Sequence, residues 1–159
     1  QVLSSAASDV YKRQLQSYKN WFERVKGYTQ NVRNSLEINK EGLELGYTQP
    51  KLVTRGVSAQ IGAMLERDLE DHPYFKIFKN VGDVASPEDA LALQNEVKEY
   101  IQNVLNPTYQ ELYDFLINEY LPESRDTIGI SDVPNGKEWY EYLARYHTTT
   151  NLTLSLIHI

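Results

Sequence analysis

Residues 86–122 read SPEDALALQNEVKEYIQNVLNPTYQELYDFLINEYLP, and this stretch decides the fold. Ser86 can cap a helix. Pro87 falls in the first turn, where its missing N–H costs nothing, and the Asp89 carboxylate stands three residues after the serine. Ala90, Leu93, Val97, Tyr100, Ile101 and Val104 follow at helical spacing. Asn106-Pro107 interrupts the pattern, because proline lacks a donor and its ring crowds the carbonyl four residues back. The pattern resumes at once with Leu112, Tyr113, Leu116 and Tyr120. The expectation is one kinked helix, or two nearly collinear ones, over Pro87–Leu121, closed by Leu121-Pro122.

Working outward, Tyr18, Phe22, Val25, Val32, Leu36 and Leu43 predict a long amphipathic helix over Leu15–Leu45, and Gly46 stands where a left-handed terminating residue is wanted. Pro50 starts a second helix to Glu70 with the stripe Val53, Val57, Ile61, Met64 and Leu65, which His72-Pro73 ends. Tyr74–Val84 reads as irregular, anchored by Tyr74, Phe75 and Phe78, and Glu123–Pro134 as a loop. Asn135-Gly136 can cap a last helix, Lys137–Tyr146, carrying Trp139, Tyr140 and Leu143. The β-branched run Thr148-Thr149-Thr150 disfavours helix and suggests a turn or short strand. The fold class is therefore all-α, an array of about four long helices.

The chain has 159 residues, enough for one domain with a real core. It contains no Cys, which excludes disulfides and thiolate metal sites. Its net charge of -6 argues against a nucleic-acid or anionic-membrane partner. No apolar run approaches bilayer length.

The two ends read as one DNA element translated in opposite orientations. Asp9-Val10-Tyr11-Lys12-Arg13-Gln14 can be coded GAT GTG TAT AAG AGA CAG. Its reverse complement, CTG TCT CTT ATA CAC ATC, gives Leu154-Ser155-Leu156-Ile157-His158-Ile159. Upstream, TCG TCG GCA GCG TCA gives Ser4-Ser5-Ala6-Ala7-Ser8. The element resembles a transposon end and adapter used to fragment genomic libraries. Residues 1–14 and 154–159 are thus expected to be adapter-derived, leaving residues 15–153 as part of a single larger domain. Without Asp9, Lys12 and Arg13 the count becomes 16 − 2 = 14 basic and 22 − 1 = 21 acidic residues, a net charge of -7, so the charge argument stands.

No self-contained catalytic site emerges from the residues. His72 and His147 stand far apart in sequence, and neither belongs to a His-Glu-x-x-His run. Asp71-His72-Pro73 reads as a helix-terminal histidine near the negative end of the dipole. The pairs Glu66/Glu70, Glu96/Glu99 and Glu119/Glu123 fit solvated helix faces better than acid–base groups. Tyr28, Tyr109, Tyr113, Tyr120, Tyr140 and Tyr146 fit core residues with hydroxyls at the rim, or a peptide or carbohydrate cleft. The densest set of side chains able to hydrogen-bond a peptide is Tyr140, Tyr146, His147, Thr148, Thr149 and Thr150, a candidate substrate-binding group. Against it stands a local reading, in which the threonines cap a helix and turn the chain, and the residues themselves favour that reading.

Two blocks carry a family resemblance. Glu41-Gly42-Leu43-Glu44-Leu45-Gly46-Tyr47-Thr48-Gln49-Pro50-Lys51 is similar to a "reGi.lGytlPr" segment. The stretch Pro107–Thr153, with Leu121-Pro122, Gly129-Ile130, Val133-Pro134-Asn135-Gly136-Lys137, Trp139-Tyr140 and Tyr146-His147-Thr148-Thr149-Thr150-Asn151-Leu152-Thr153, resembles an "lP.G..yY..l.r.hTTtdlt" signature. Both belong to the bacterial domain-of-unknown-function 885 family, which resembles gluzincin-like zinc metallopeptidases. The family signature continues into an acidic "pEEIH" segment, from which this chain diverts after Thr153. The resemblance implies a mainly helical zinc peptidase of the periplasm or cell envelope. Its His-Glu-x-x-His helix would lie in a longer parent chain, so this stretch would hold no metal ligand and no catalytic residue. The implied partners are the rest of the parent chain and a peptide substrate. The alternative is a cell-envelope binding or scaffold protein on the same fold, without catalysis.

Overall fold

The computed structural model describes residues 2–150, with side chains from residue 12 onward. Helix α1 spans Val2–Glu44 and buries Phe22, Val25, Thr29, Val32 and Leu36 at alternating steps of three and four. Thr29 completes the stripe because its hydroxyl donates to the Val25 carbonyl at 3.0 Å, leaving no polar group unpaired. The helix ends in a Schellman turn. Tyr47 N–H bonds the Gly42 carbonyl at 2.8 Å, Gly46 N–H bonds the Leu43 carbonyl at 3.1 Å, and Gly46 takes φ 80°. Its start lies well before the expected Leu15, since the backbone is already helical through residues 4–14. The packing of Val10, Tyr11, Leu156 and Ile157, where the adapter expectation falls, lies outside the described side chains.

Helix α2, Lys51–Leu65, starts after Pro50 as expected but stops short of Glu70, where Asp68 turns extended and Leu69–Asp71 forms a 3-10 turn. The second half of the expected stripe faces inward, with Ile61 buried and Met64 and Leu65 packed against the core, but the first half does not. Thr54, Ser58 and Ile61 are buried, while Leu52, Val53 and Val57 face outward, Val53 46% and Val57 43% exposed. The hydroxyls make this facing possible. Thr54 and Ser58 donate to the Pro50 and Thr54 carbonyls at 3.3 and 2.8 Å, and Thr54 Oγ1 meets Ser124 Oγ at 3.2 Å. Small, internally satisfied side chains let α2 approach the helices beneath closely, and the Tyr113 ring reaches to about where a Gly62 Cβ would stand, at 3.2 Å.

The segment expected to be irregular is a 3-10 turn, Lys76–Asp83, pinned by Phe78 and Val81, with Phe75 buried just before it. Phe78 meets Tyr18 and Phe22 of α1 at ring separations of 6.0 and 6.2 Å. Ser86 then caps α3, Pro87–Tyr100, accepting from Asp89 N–H at 3.1 Å as its sequence predicts.

From Pro87 the helical torsions never break until Ser124. Helix α3 passes through a π turn at Ile101–Leu105 into α4, Asn106–Phe115, then through a second π turn at Leu116–Tyr120 into α5, Leu121–Glu123. Neither proline ends the rod, and each stands two residues beyond a π turn. The wider turn withdraws the backbone that a proline ring would otherwise strike. A hydroxyl then bonds a carbonyl four residues back at each site: Thr108 to Val104 at 2.7 Å and Ser124 to Tyr120 at 2.8 Å. Helix α1 packs on α4, and α2 packs on α4, the second π turn and α5.

Past the rod, Arg125 ties the loop to the α1–α2 connection. Its Nε donates to the Thr48 carbonyl at 3.0 Å, its Nη1 to the Gly129 carbonyl, and its own carbonyl accepts Lys51 N–H at 2.8 Å. Helix α6, Gly136–Thr148, rests on the 3-10 turn Ile130–Asp132. Among the described residues there is no β-strand, only the isolated bridge Pro50–Arg125.

If the first π turn exists to keep faces in register, deleting exposed Gln102 together with Pro107→Ala should convert it to an ordinary turn and preserve the fold. Deleting exposed Asn95 from α3 should cost more than about 3 kcal/mol, because everything beyond it rotates by about 100°. Urea unfolding compares the two; equal losses would refute the register argument.

Candidate functional site

The sequence-predicted group lies on α6 and just beyond it. Tyr140, Tyr146, His147, Thr148, Thr149 and Thr150 are all exposed. Tyr146 is 66% exposed, its ring stacks on Tyr142 at 6.2 Å and meets His147 edge-on at 5.2 Å. Trp139 extends the same aromatic surface toward Tyr47, at a ring separation of 6.4 Å over a hollow with Pro134 and Asn135. Only Gly136 of α6 is buried, so the helix presents its aromatic residues outward.

The threonine run is not extended, as a strand would require. Thr148 is helical and donates to the Ala144 carbonyl at 2.7 Å; Thr149 is left-handed, φ 55°, with its N–H on the Arg145 carbonyl at 2.8 Å. Thr148 and Thr150 hydroxyls meet at 2.9 Å. These contacts terminate the helix locally. At the other end Asn135 is also left-handed, φ 54°, and caps with backbone rather than side chain.

Gly136 makes the docking of α6 possible. A Cβ there would overlap the Ile130 carbonyl, which is backbone and cannot swing aside. Gly136→Ala should therefore cost roughly 1–3 kcal/mol, with amide exchange protection lost first across residues 136–148. Unchanged protection there would show that α6 is held some other way.

A second group lies inside the molecule, and the sequence reading missed it. His72 was expected at a helix end where the dipole would favour its charged form. Instead it is extended, φ −64° and ψ 131°, and wholly buried. Neither ring nitrogen has a hydrogen-bond partner, and Asn106 Oδ1 is likewise buried without one. Burial pushes the imidazole below its ordinary value of 6.5, and the nearby Arg67 charge adds to this; Asn106 pulls the other way but forms no bond of normal geometry. The imidazole stacks on Tyr74 at 5.8 Å. Tyr74 Oη and Tyr109 Oη share a hydrogen bond of 2.9 Å, and the Tyr28 ring lies 6.0 Å from Tyr74. Trp21, Arg24, Val25, Tyr28 and Tyr74 line an open hollow of about 230 Å³ above this cluster. The signal available in sequence was three tyrosines and a histidine from α1, the 3-10 region and α4, whose convergence only the tertiary packing reveals.

The carboxylate pairs are solvated. Glu66, Glu70, Glu96, Glu99, Glu119 and Glu123 are all exposed, Glu70 pairing with Lys98 and Glu96 with Lys26. No three His, Cys, Asp or Glu side chains converge on a possible metal position among the described residues. With His72 sealed in the core and His147 exposed, these residues do not fit a zinc site.

Burial raises both Tyr74 and Tyr109 above the ordinary phenol value of 10.0, and for Tyr109 the hydrogen bond to Tyr74 adds to it. The folded state thus favours the neutral phenols, whose stabilisation is complete below pH 10 and lost as pH rises above it. In an alkaline titration followed by tyrosinate absorbance, two tyrosines should ionise only as the chain unfolds, and Tyr109→Phe should lower stability at pH 7 by about 1 kcal/mol. Ionisation of every tyrosine within the folded chain would contradict the buried pair.

Compared with known proteins, the chain matches over residues 1–159 the family model described as "Bacterial protein of unknown function (DUF885)". No curated protein and no solved structure matches it.

Proposed function

The chain belongs to the bacterial domain-of-unknown-function 885 family, and we propose that it forms a non-catalytic helical wall of a zinc-dependent peptide-bond hydrolase whose metal motif lies elsewhere in a longer parent protein. The observation that carries this reading is the outward-facing apolar surface at the start of α2. There the helix turns Leu52, Val53 and Val57 outward while burying Thr54 and Ser58, an arrangement that fits a helix clasped on both sides. The natural cover for that face is the remainder of the parent chain. The aromatic surface of α6, with Trp139 54% and Tyr142 54% exposed, is the second such face and offers rings and hydroxyls suited to a peptide. Tyr140, Tyr146, His147 and Thr148 to Thr150 then stand where the parent's substrate cleft would reach this part of the chain.

Any zinc belongs to the parent and would act there as Lewis acid and water activator. Residues of this chain contribute binding surface and rigidity. Val57→Lys decides the carrying point. In the 159-residue chain it should change stability by less than about 0.5 kcal/mol, and in the full-length parent by several kcal/mol. A parent that tolerates Val57→Lys equally well leaves the α2 face solvated and the wall reading without support. Chelator-sensitive hydrolysis of a peptide library by the parent, reduced by Tyr146→Ala with an unchanged melting temperature, would assign the α6 surface to the cleft. A stable parent that hydrolyses no peptide would instead favour a cell-envelope binding or scaffold role.

A further inference from the structure

We propose that His72 is an acid-responsive latch, whose protonation releases the segment Asp68–Val84 from the core and widens the hollow that Tyr74 walls. The ring is wholly buried and neither nitrogen is hydrogen-bonded. A neutral imidazole tolerates such a place at modest cost; an imidazolium, with two donors and a full charge, does not.

The surroundings offer the charge little relief. From the end of α2, Arg67 repels it. On its own segment, Glu70 is engaged by Lys98 of α3 and Asp71 by Lys79, at exposed pairs, and Asp68 is exposed. From α4 comes the uncharged Asn106, and beyond the stacked Tyr74 lie the Tyr109 ring of α4 and the Tyr28 ring of α1, none of them a counter-charge. Asn106 Oδ1 is a nearby side-chain acceptor without a partner of its own, and it can take only one of the two imidazolium protons. The charged ring is therefore best accommodated in water, and the adjoining Pro73 is already exposed.

The segment is built to yield. Its backbone hydrogen bonds close within its own turns, and what holds it to the rest of the chain is mainly Phe75, Phe78 and Val81, with Gln94 Nε2 on the Phe78 carbonyl at 2.9 Å. Tyr74 stacks on His72, so departure of the imidazole pulls on the Tyr74–Tyr109 hydrogen bond and removes one wall of the hollow. The closed state holds His72 below its ordinary 6.5, so the open state binds the proton more tightly. Closure is fully favoured above pH 6.5 and weakens as pH falls below it, by up to about tenfold per pH unit until the closed state itself protonates.

Hydrogen-exchange protection factors of the whole chain at pH 7.5 and pH 5.0 test the latch. Residues 68–84 should lose protection by about tenfold or more at the lower pH while α4 keeps its own, and His72→Phe should flatten the difference. Equal protection of residues 68–84 at both values overturns the proposal. So does a loss spread evenly over the chain, or the same local loss in His72→Phe. Should that variant fail to fold, an NMR titration of the His72 Cε1 proton in the unaltered chain decides. An ionisation below 6.5 that moves with the Trp21 indole signal supports the latch, and one at or above 6.5 overturns it.

Discussion

Pro107 and Pro122 set the geometry on which the rest of the chain depends, because each forces a choice on the rod from Pro87 to Glu123. An ordinary α-helix cannot carry an interior proline without losing a hydrogen bond and colliding with its preceding turn. A break at either site would have divided the core in two. The chain instead widens the preceding turn, and the buried face shows the consequence. Val97, Ile101, Leu105 and Tyr109 follow one another at steps of four, as do Leu116, Tyr120 and Ser124. In an α-helix each such step overshoots a full turn by about 40°, so a run of them would spiral off the core. The π turns take up that overshoot and keep Ile101, Leu105 and Tyr120 within the buried core.

The rod in turn dictates what α2 can be. Its contact surface near the second π turn offers Ser124, the Tyr120 backbone and the Tyr113 ring, all close to the axis. A helix bringing Val53 and Val57 to that surface would stand off and leave Ser124 Oγ without its Thr54 partner. Thr54, Ser58 and Gly62 allow close approach, with each hydroxyl returned to a carbonyl of its own chain. Arg125 completes the junction by spanning the Thr48 and Gly129 carbonyls, while Tyr120 Oη accepts Gln49 N–H at 2.9 Å. The two sequence blocks that carry the family resemblance are thus one physical unit, joined at the α1–α2 turn.

Helix placement was legible because it depends on signals that act within a few residues. Ser86 caps α3, Gly46 terminates α1 and Pro50 precedes α2 as their chemistry requires. Facing was legible only where apolar periodicity had no competitor. On α1 the stripe of Phe22, Val25, Val32 and Leu36 had none; on α2 the apolar positions Val53 and Val57 rivalled a polar set, and polar residues won through hydroxyl pairs that no local pattern reveals. The steps of four along the rod were visible in sequence, but the interruption at Asn106-Pro107 was read as a kink or a break rather than as a widened turn. The exposed α6 group was legible as a cluster, because one helix and its end place those residues together. His72 was misread, because its surroundings come from Asn106 and from Tyr74, itself held by Tyr109 and Tyr28, brought together only when the Leu69–Asp83 turns fold onto α1 and α4.

The aromatic residues divide along the same line, and the division separates two kinds of work. Tyr109 and Phe78 are buried and Tyr74 half-buried, their hydroxyls and edges matched to neighbours, so their energy is tied to the closed fold and to the protonation of the groups among them. Tyr142 and Tyr146 are largely exposed, while α6 docks through Gly136 against the Ile130 carbonyl and through the Trp139 edge contact with Tyr47. An isolated domain gains little from holding two large rings in water, where each exposes apolar area worth about 25 cal/mol per Å² on burial. That free energy remains available for contact with something else. A helix docked by one end, with most of its ring area in water, is therefore better suited to recognition than to holding this fold together.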